Sequence, residues 1–341
     1  MNDKVLVSVV IPTYNRGYVV GQAIDSILNQ TYHNTEIVVV DDGSTDNTLE
    51  KLKQYGDRIR VVSQRNSGPS VARNHGIRAS RGEIVAFLDS DDLWLPTKLE
   101  RQVSIMQRQT NIVCCLCNAK HKFRDGTEHN MFDRAQLRHA SGEGVWLNVT
   151  DVLATRCVVL CQMLAVRRDA LERIGGFDES LRFLEDYDLS LRLSIEGAWG
   201  LIQEPLALIN STSADSLSLK ISNEEVCHEQ YILKTRERVF ATLRARNQPG
   251  ISMEYLKQSI KKARRDLWIA KLSNNSVWGA RTVGYVLKGL EHYRMAIFRR
   301  SSWFPKVKFL PIEAGKGFQP PSSITRATAP NEDREECRSG T

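Results

Sequence analysis

The stretch LDSDD, residues 88–92, sets Asp89, Asp91 and Asp92 within four positions, directly after the apolar run of EIVAFL. Two carboxylates one residue apart can hold a hard divalent cation through oxygen ligands, and such a cation neutralises a diphosphate. Acidic residues after a strand also occur in turns, where a short carboxylate accepts local backbone N–H groups, so LDSDD alone leaves both readings open. A second acidic end, EIVVVDDGSTDNT, carries Asp41 and Asp42. Its Asp-Gly pair is a tight-turn signal, and Thr45 or Asp46 can cap the helix that follows. As a binding element, Asp42 offers an acceptor to the imide N–H of a uracil. The third constellation is FLEDYDLSLRL, residues 183–193, with Glu185, Asp186 and Asp188. Asp186 is placed to cap a helix, and Asp188 to favour its positive end. An ionised Asp186 is also what a general base needs in order to take a proton from an acceptor hydroxyl. The two roles are compatible, because a cap is a rigid mount for a base.

These residues need elements to hold them. Short β-branched runs at Val5–Ile11, Glu36–Val40, Ile59–Ser63, Glu83–Leu88 and Ile112–Cys117 alternate with segments of helical period. YVVGQAIDSILNQ sets Val20, Ile24, Ile27 and Leu28 on one face; TDNTLEKLKQY opens with capping residues; PSVARNHGIRAS has Pro69 near its start and PTKLERQVSIMQR has Pro96 in its first turn. Strict alternation predicts an α/β fold, a mixed, mostly parallel sheet flanked by helices, and such sheets bind ligands beyond the carboxyl ends of their strands. A further helix is expected from about Tyr187 to Ile195, after a break at Gly175–Gly176. The first strand is followed by IPTYNRG, without the G-x-G-x-x-G of a dinucleotide oxidoreductase.

The chain has 341 residues, 41% hydrophobic and 26% charged, within the ordinary range for a globular protein. Its opening apolar run is too short for a signal peptide or a membrane span, and no stretch reaches the roughly 18 apolar residues that a spanning helix needs. A cytoplasmic protein is expected. Seven cysteines, three of them in VCCLC, read as free and mostly buried thiols. Residues 220–308 hold 19 Lys and Arg against 7 Asp and Glu, in a chain of net charge +7.

With these motifs in place, the chain resembles the family 2 glycosyltransferases. VSVVIPTYNRG, EIVVVDDGSTDNT, NSGPSVARNHGI, GEIVAFLDSDDLWLP and GGFDESLRFLEDYDLSLRL occur in the family's order over about Val7 to Pro205. The resemblance implies a GT-A-type nucleotide-binding fold and an inverting transfer from a nucleotide-diphosphate sugar, UDP-linked in expectation, to a saccharide or lipid-linked hydroxyl. It implies that Pro12, Tyr14 and Asp42 line the nucleoside pocket with Asp41 close by. Asp89 would face the ribose or the metal-bound diphosphate, and Asp91 would be the direct ligand of Mn2+ or Mg2+. Asp186 would be the base, with Glu185 orienting it or the acceptor. Arg73 is a diphosphate neighbour in this reading, or else the partner of a nearby acid. Processive members carry Gln-x-x-Arg-Trp after the acidic pair; LRLSIEGAWGLIQEP lacks it, so addition of one sugar is implied. A sugar-phosphate nucleotidyltransferase is the enzymatic rival, and a non-catalytic nucleotide-sugar-binding protein the rival from another class.

Residues 1–219 are thus expected to form the catalytic domain, 220–310 a basic amphipathic helical extension, and 311–341, rich in Pro, Ser, Gly and charge, a disordered tail. In the extension, Leu256, Ile260, Ala263 and Leu267 recur at helical spacing. Its helices can pack on the catalytic domain by these stripes. YVLKGLEHYRMAIFRRSSWFPKVKF interleaves aromatic residues with cations, which suits an anionic membrane surface and would place the protein at the inner face of the cell membrane. No nucleic-acid-binding motif is present, and nucleic acid is not an expected partner.

Overall fold

The computed structural model describes residues 5–123, 125–135, 137, 142–181, 183–210, 225–246, 253–273 and 308–311. Eleven strands make one sheet: β1 (Val7–Thr13), β2 (Thr35–Asp41), β3 (Arg60–Ser63), β4 (Ile84–Phe87), β5 (Leu93–Trp94), β6 (Ile112–Lys122), β7 (Glu128–Asn130), β8 (Glu143–Trp146), β9 (Leu164–Arg167), β10 (Ala198–Asn210) and β11 (Phe309–Pro311). Their order is β11-β8-β10-β6-β9-β4-β1-β2-β3, with β5 beside β10 and β7 beside β6. β1, β2, β3 and β4 are mutually parallel where they pair, as are β6 and β10. β9 runs antiparallel between β4 and β6. The sheet is therefore mixed and mostly parallel at the end that matters here, as the alternation predicts.

The central strands are buried on both faces, so they read as continuous apolar runs rather than alternating ones. Val7, Val9, Val10 and Ile11, then Val38–Val40, then Ile84–Leu88 are all inaccessible or nearly so. The Val20–Leu28 helix covers one face with Val20, Ala23, Ile24 and Ile27. Pro69 occupies the first turn of the Pro69–Ala79 helix, where a missing N–H costs nothing. The helix after Pro96 starts later than expected, at Lys98.

β1 is the switch point. β2 and β3 succeed it on one side while β4 lies on the other, so the loops after β1 and β4 part and leave a crevice at their carboxyl ends. The registers Thr13↔Asp41 and Val10↔Phe87 bring those ends to one edge.

The Glu225–Arg246 and Met253–Ser273 helices pack against each other and onto the Glu185–Leu193 and Val149–Thr155 helices. Leu256, Ile260 and Ala263 are buried. Thr235 Oγ1 donates to Asp188 Oδ1 at 2.9 Å and Arg236 Nε to the Tyr187 hydroxyl at 2.9 Å. Phe309–Pro311 is an edge strand on β8, which the helical reading of 220–310 does not contain. Residues 274–307 and 312–341, with most of the aromatic and basic segment and the expected disordered tail, lie outside the described residues. Among those described, no helix is long and apolar enough to cross a membrane.

Candidate active site

The floor of the crevice is a set of loops tied to one another. Asn15, next to the exposed Tyr14, adopts φ 52, a left-handed conformation that Asn tolerates better than most residues. That turn aims its Oδ1 at the amide of Thr45, 2.8 Å away, and Asn15 N donates to Ser44 Oγ at 2.9 Å. The helix after this loop has Asn47 as its N-cap, not Thr45 or Asp46; Asp46, one residue earlier, accepts from Thr48 N at 2.9 Å and from Gly17 N at 3.2 Å. Asp41 is buried and accepts from Ser44 N at 3.3 Å. Asp42 is buried too; its carboxylate accepts from Gln64 Nε2, Ser67 N and Gly68 N, each at 2.8 Å. It thus locks the loop after β3 onto the loop after β2. Pro12, on β1, is partly buried.

At the end of β4 the three carboxylates take different surroundings. Asp89 Oδ1 accepts from Arg73 Nη2 at 2.7 Å. Asp91 has Arg16 Nε at 3.8 Å. Burial and the neighbouring Asp89 charge raise its pKa. Asp92 turns inward, where it accepts from Asn210 N at 2.7 Å and from Gln162 Nε2. Burial first, then Asp89 and Asp91, push its pKa well above the usual carboxylate range. Asp92 is therefore the buried anchor of the loop, and the acids facing the crevice are Asp89 and Asp91.

Opposite them the Glu185–Leu193 helix begins at Leu184, which adopts φ 61. A left-handed Leu costs on the order of 1 kcal/mol, and here the strain falls beside the acidic pair. This corrects the capping expectation: Leu184, not Asp186, is the N-cap, and Asp186 lies in the first turn without capping it. Its carboxylate accepts instead from Cys161 N at 3.2 Å and Cys161 Sγ at 2.8 Å. Asp188 is also in the first turn, as expected of an acid at the positive end, but it is fully buried and binds Arg192, Thr235 and Arg238.

Arg73 joins the two acidic sets. It is 3% exposed, and its two terminal nitrogens reach Asp89 and Glu185 at 2.7 and 2.8 Å, with Asp186 at 4.0 Å. Its helix is anchored by Asn74, which accepts from Phe177 N at 2.9 Å. Gly176, at φ 69, leaves room for that contact, since a Cβ there would meet Asn74 Oδ1 at 2.5 Å. Burial, then the Glu185 charge, raise the Asp186 pKa to about 7, with Arg73 and the Cys161 thiol opposing the rise. A partly buried carboxylate with a pKa near neutrality suits general-base work.

The structure thus brings Asp89, Asp91, Arg73, Glu185 and Asp186 to one crevice, with Pro12, Tyr14, Asp41 and Asp42 in the loops and strand ends of its other half. Arg73 takes the acid-pairing alternative. Asn15, Cys161 and Gln162 were not singled out in the sequence; IPTYNRG carries an Asn in a turn, a signal for the first, whereas Cys161 and Gln162 sit in an apolar stretch that gives none.

The mixed sheet, with its crevice at the carboxyl ends of the parallel strands and its facing acidic sets, has a GT-A-type fold. Residues 8–174 match the family model described as "Glycosyl transferase family 2". An uncharacterized glycosyltransferase of Rickettsia typhi is 36% identical over 187 residues, covering 54% of this chain and 57% of its own. Escherichia coli WfgD, a UDP-Glc:alpha-D-GlcNAc-diphosphoundecaprenol beta-1,3-glucosyltransferase, is 42% identical over 106 residues, 30% of this chain and 42% of its own. The chain spans about half the length of the relatives it matches. Among solved structures, S. aureus TarS 1–349 in complex with UDP-GlcNAc is similar with TM-score 0.60 at 18% identity, covering 81% of this chain and 77% of that one. Mannosyltransferase PcManGT from Pyrobaculum calidifontis, in complex with GDP-Man and Mn2+, gives 0.52 at 18% identity, covering 89% and 83%. At such identity the likeness is one of fold.

Proposed function

We propose that the protein transfers one sugar from a nucleotide-diphosphate sugar, UDP-linked, to a hydroxyl of a saccharide or lipid-linked acceptor, by a single displacement with inversion. The observation that carries this reading is Arg73, which gathers the donor-side Asp89 and the acceptor-side Glu185 and Asp186 within reach of one guanidinium. Asp186 takes the proton as the acceptor oxygen attacks the anomeric carbon and the nucleotide diphosphate leaves. Glu185 holds Arg73 and so orients the base. Tyr14 stacks on the base of the donor, Pro12 and Asp41 complete the pocket wall, and Asp42 faces the nucleoside. The UDP preference draws on the donor in the name of WfgD and the ligand of the TarS complex.

The acidic pair fits Mn2+ or Mg2+. Asp91 and Asp89 are hard oxygen donors, and the raised Asp91 pKa reflects burial first and then the neighbouring Asp89 charge, which a cation would offset. Among the described residues no group of three or more His, Cys, Asp or Glu is placed to hold a metal, so two carboxylates would leave most of the shell to diphosphate and water. When bound, the cation supplies charge for the departing diphosphate.

In this reading residues 1–219 are catalytic and 220–310 attach the enzyme to an anionic membrane surface that carries its acceptor. Supporting it, Lys257, Lys261, Arg264, Trp268 and Lys271 recur every three or four residues as one exposed stripe of the Met253–Ser273 helix, with Trp268 55% exposed. The test of the transferase reading is thermal stabilisation by UDP, GDP, dTDP and CDP, each with and without Mn2+, alongside Asp186→Asn. A metal-dependent shift for UDP, retained in an Asp186→Asn variant that no longer transfers sugar, is expected. A ligand at about 100 times its dissociation constant adds about 2.7 kcal/mol. No shift with any nucleotide would overturn the proposal.

A further inference from the structure

We infer that Cys161 is a positioning residue for the base, holding the Asp186 carboxylate in place through its thiol and its backbone amide. The inference rests on the reading of Asp186 as base. Cys161 opens the short turn Cys161–Met163, between the loop after the Val149–Thr155 helix and β9. Its amide donates to Asp186 Oδ2 at 3.2 Å and its thiol to Oδ1 at 2.8 Å, so both oxygens are held from one residue. The turn itself is fixed to the acidic end of β4. Gln162 donates to Asp92 and its carbonyl accepts from Trp94 Nε1 at 3.0 Å, while the Met163 carbonyl accepts from Gln102 Nε2 at 2.9 Å. One three-residue turn thereby registers the base against the strand end that carries Asp89 and Asp91.

The thiol is protonated where it does this. Burial, then the Asp186 charge, push the Cys161 pKa well above the ordinary thiol value, so the sulfur donates rather than competes as a second anion. The charged or titratable groups around Asp186 are Glu185 on its own helix, Arg73 from the Pro69–Ala79 helix, Asp89 from the end of β4, and Cys157 and Cys161 from the segment before β9. Among them, Arg73 and Cys161 are the two that favour the ionised base. The guanidinium, at 4.0 Å, acts mainly by charge, and the thiol acts by a directional hydrogen bond that selects one orientation of the carboxylate.

The test compares Cys161→Ala, Cys161→Ser and Asp186→Asn in the full chain, using release of UDP from UDP-GlcNAc and UDP-Glc with Mn2+, and UDP binding by calorimetry. Cys161→Ala is expected to lower kcat about tenfold and to move the acid limb of the pH profile upward by up to about one unit. Cys161→Ser, which keeps a donor, restores most of both, and UDP affinity stays within about twofold throughout. An infrared readout needs no turnover: the Cys161 S–H band, obtained as wild type minus Cys161→Ser, lies at lower frequency than that of a free thiol and rises in Asp186→Asn. Wild-type kcat and pH profile in Cys161→Ala, with Asp186→Asn inactive, would overturn the inference alone. Equal losses in the Ala and Ser variants, with an unperturbed S–H band, would also overturn it and leave Cys161 a packing role. Full turnover in Asp186→Asn would remove the base assignment and this inference together.

Discussion

Arg73→Met removes the guanidinium that bridges Asp89 and Glu185. The side chain is 3% exposed and pairs with Asp89 and Glu185 at 2.7 and 2.8 Å. Breaking a buried pair from one side costs about 3–5 kcal/mol, because the partner charges stay behind uncompensated. Met keeps much of the volume beside Phe177, over which the guanidinium lies at 5.4 Å, so lost packing adds little. At roughly 2–4 °C per kcal/mol for a domain of this size, Tm should fall by about 6–20 °C near pH 8. The deficit should also depend on pH. Asp186 is already raised to about 7, and Arg73 opposes that rise. A carboxyl whose folded pKa lies above its unfolded one destabilises the fold only when ionised; the penalty is absent below about pH 4 and complete above the folded pKa. Without Arg73 the folded pKa climbs further, so the variant keeps losing stability above pH 7 where the wild type has levelled off. Thermal melts of both proteins by circular dichroism should show a gap widest near pH 8 that narrows toward about pH 5. A gap of constant width across that range would refute the electrostatic account and leave Arg73 a packing residue.

The acidic pair predicts a second contrast. Asp91→Asn should bring stabilisation by UDP with Mn2+ down to its level without metal, as read by thermal shift. Asp92→Asn should leave Tm within about 3 °C and keep activity, because burial already disfavours the charged carboxylate there, and the amide can still accept from Asn210 N and donate to Gln162, whose Oε1 lacks a partner. The base at about 7 predicts that kcat/KM falls about tenfold per pH unit below neutrality, in initial rates of UDP release from pH 5 to pH 8. Reversing Lys257, Lys261 and Lys271 to Glu removes about 1 kcal/mol of headgroup attraction per site, so flotation with anionic vesicles should weaken at least a hundredfold, whereas neutral vesicles are unaffected.

What the sequence made legible was local. The runs EIVVVDD and EIVAFLDSDD announce strands that end in acid, because β-branched residues and a carboxylate at the exit are read without knowing any neighbour. Pro69 and Gly175–Gly176 mark a start and a stop for reasons carried by single residues. The site's supports were not local. Cys161 meets Asp186 across 25 residues, Thr235 meets Asp188 across 47, and Lys308 N meets Asn148 Oδ1 across 160. Periodicity reports which face of an element is buried, and it is silent on which element arrives to bury it. β9 was missed for the same reason: Cys157–Val166 is apolar but for Gln162, with no Gly, Pro or charge to mark where a loop becomes a strand between β4 and β6.

The two sequence readings of Arg73, diphosphate contact or partner of an acid, are separated by its surroundings. Both terminal nitrogens are committed to carboxylates, and only Nε, buried, lacks a partner. For the guanidinium to turn toward a diphosphate it would have to give up a short ion pair to Asp89 or Glu185, both partly buried. Arg73 therefore acts by fixing the charges around it. Held between Asp89 and Glu185, it keeps the Asp186 pKa from rising beyond about 7, so that the base is partly ionised where acceptor hydroxyls must be deprotonated. Arg73→Lys separates these roles: an ammonium keeps the charge but lacks the planar fork that sends one nitrogen to Asp89 and another to Glu185, so it should recover stability more fully than turnover.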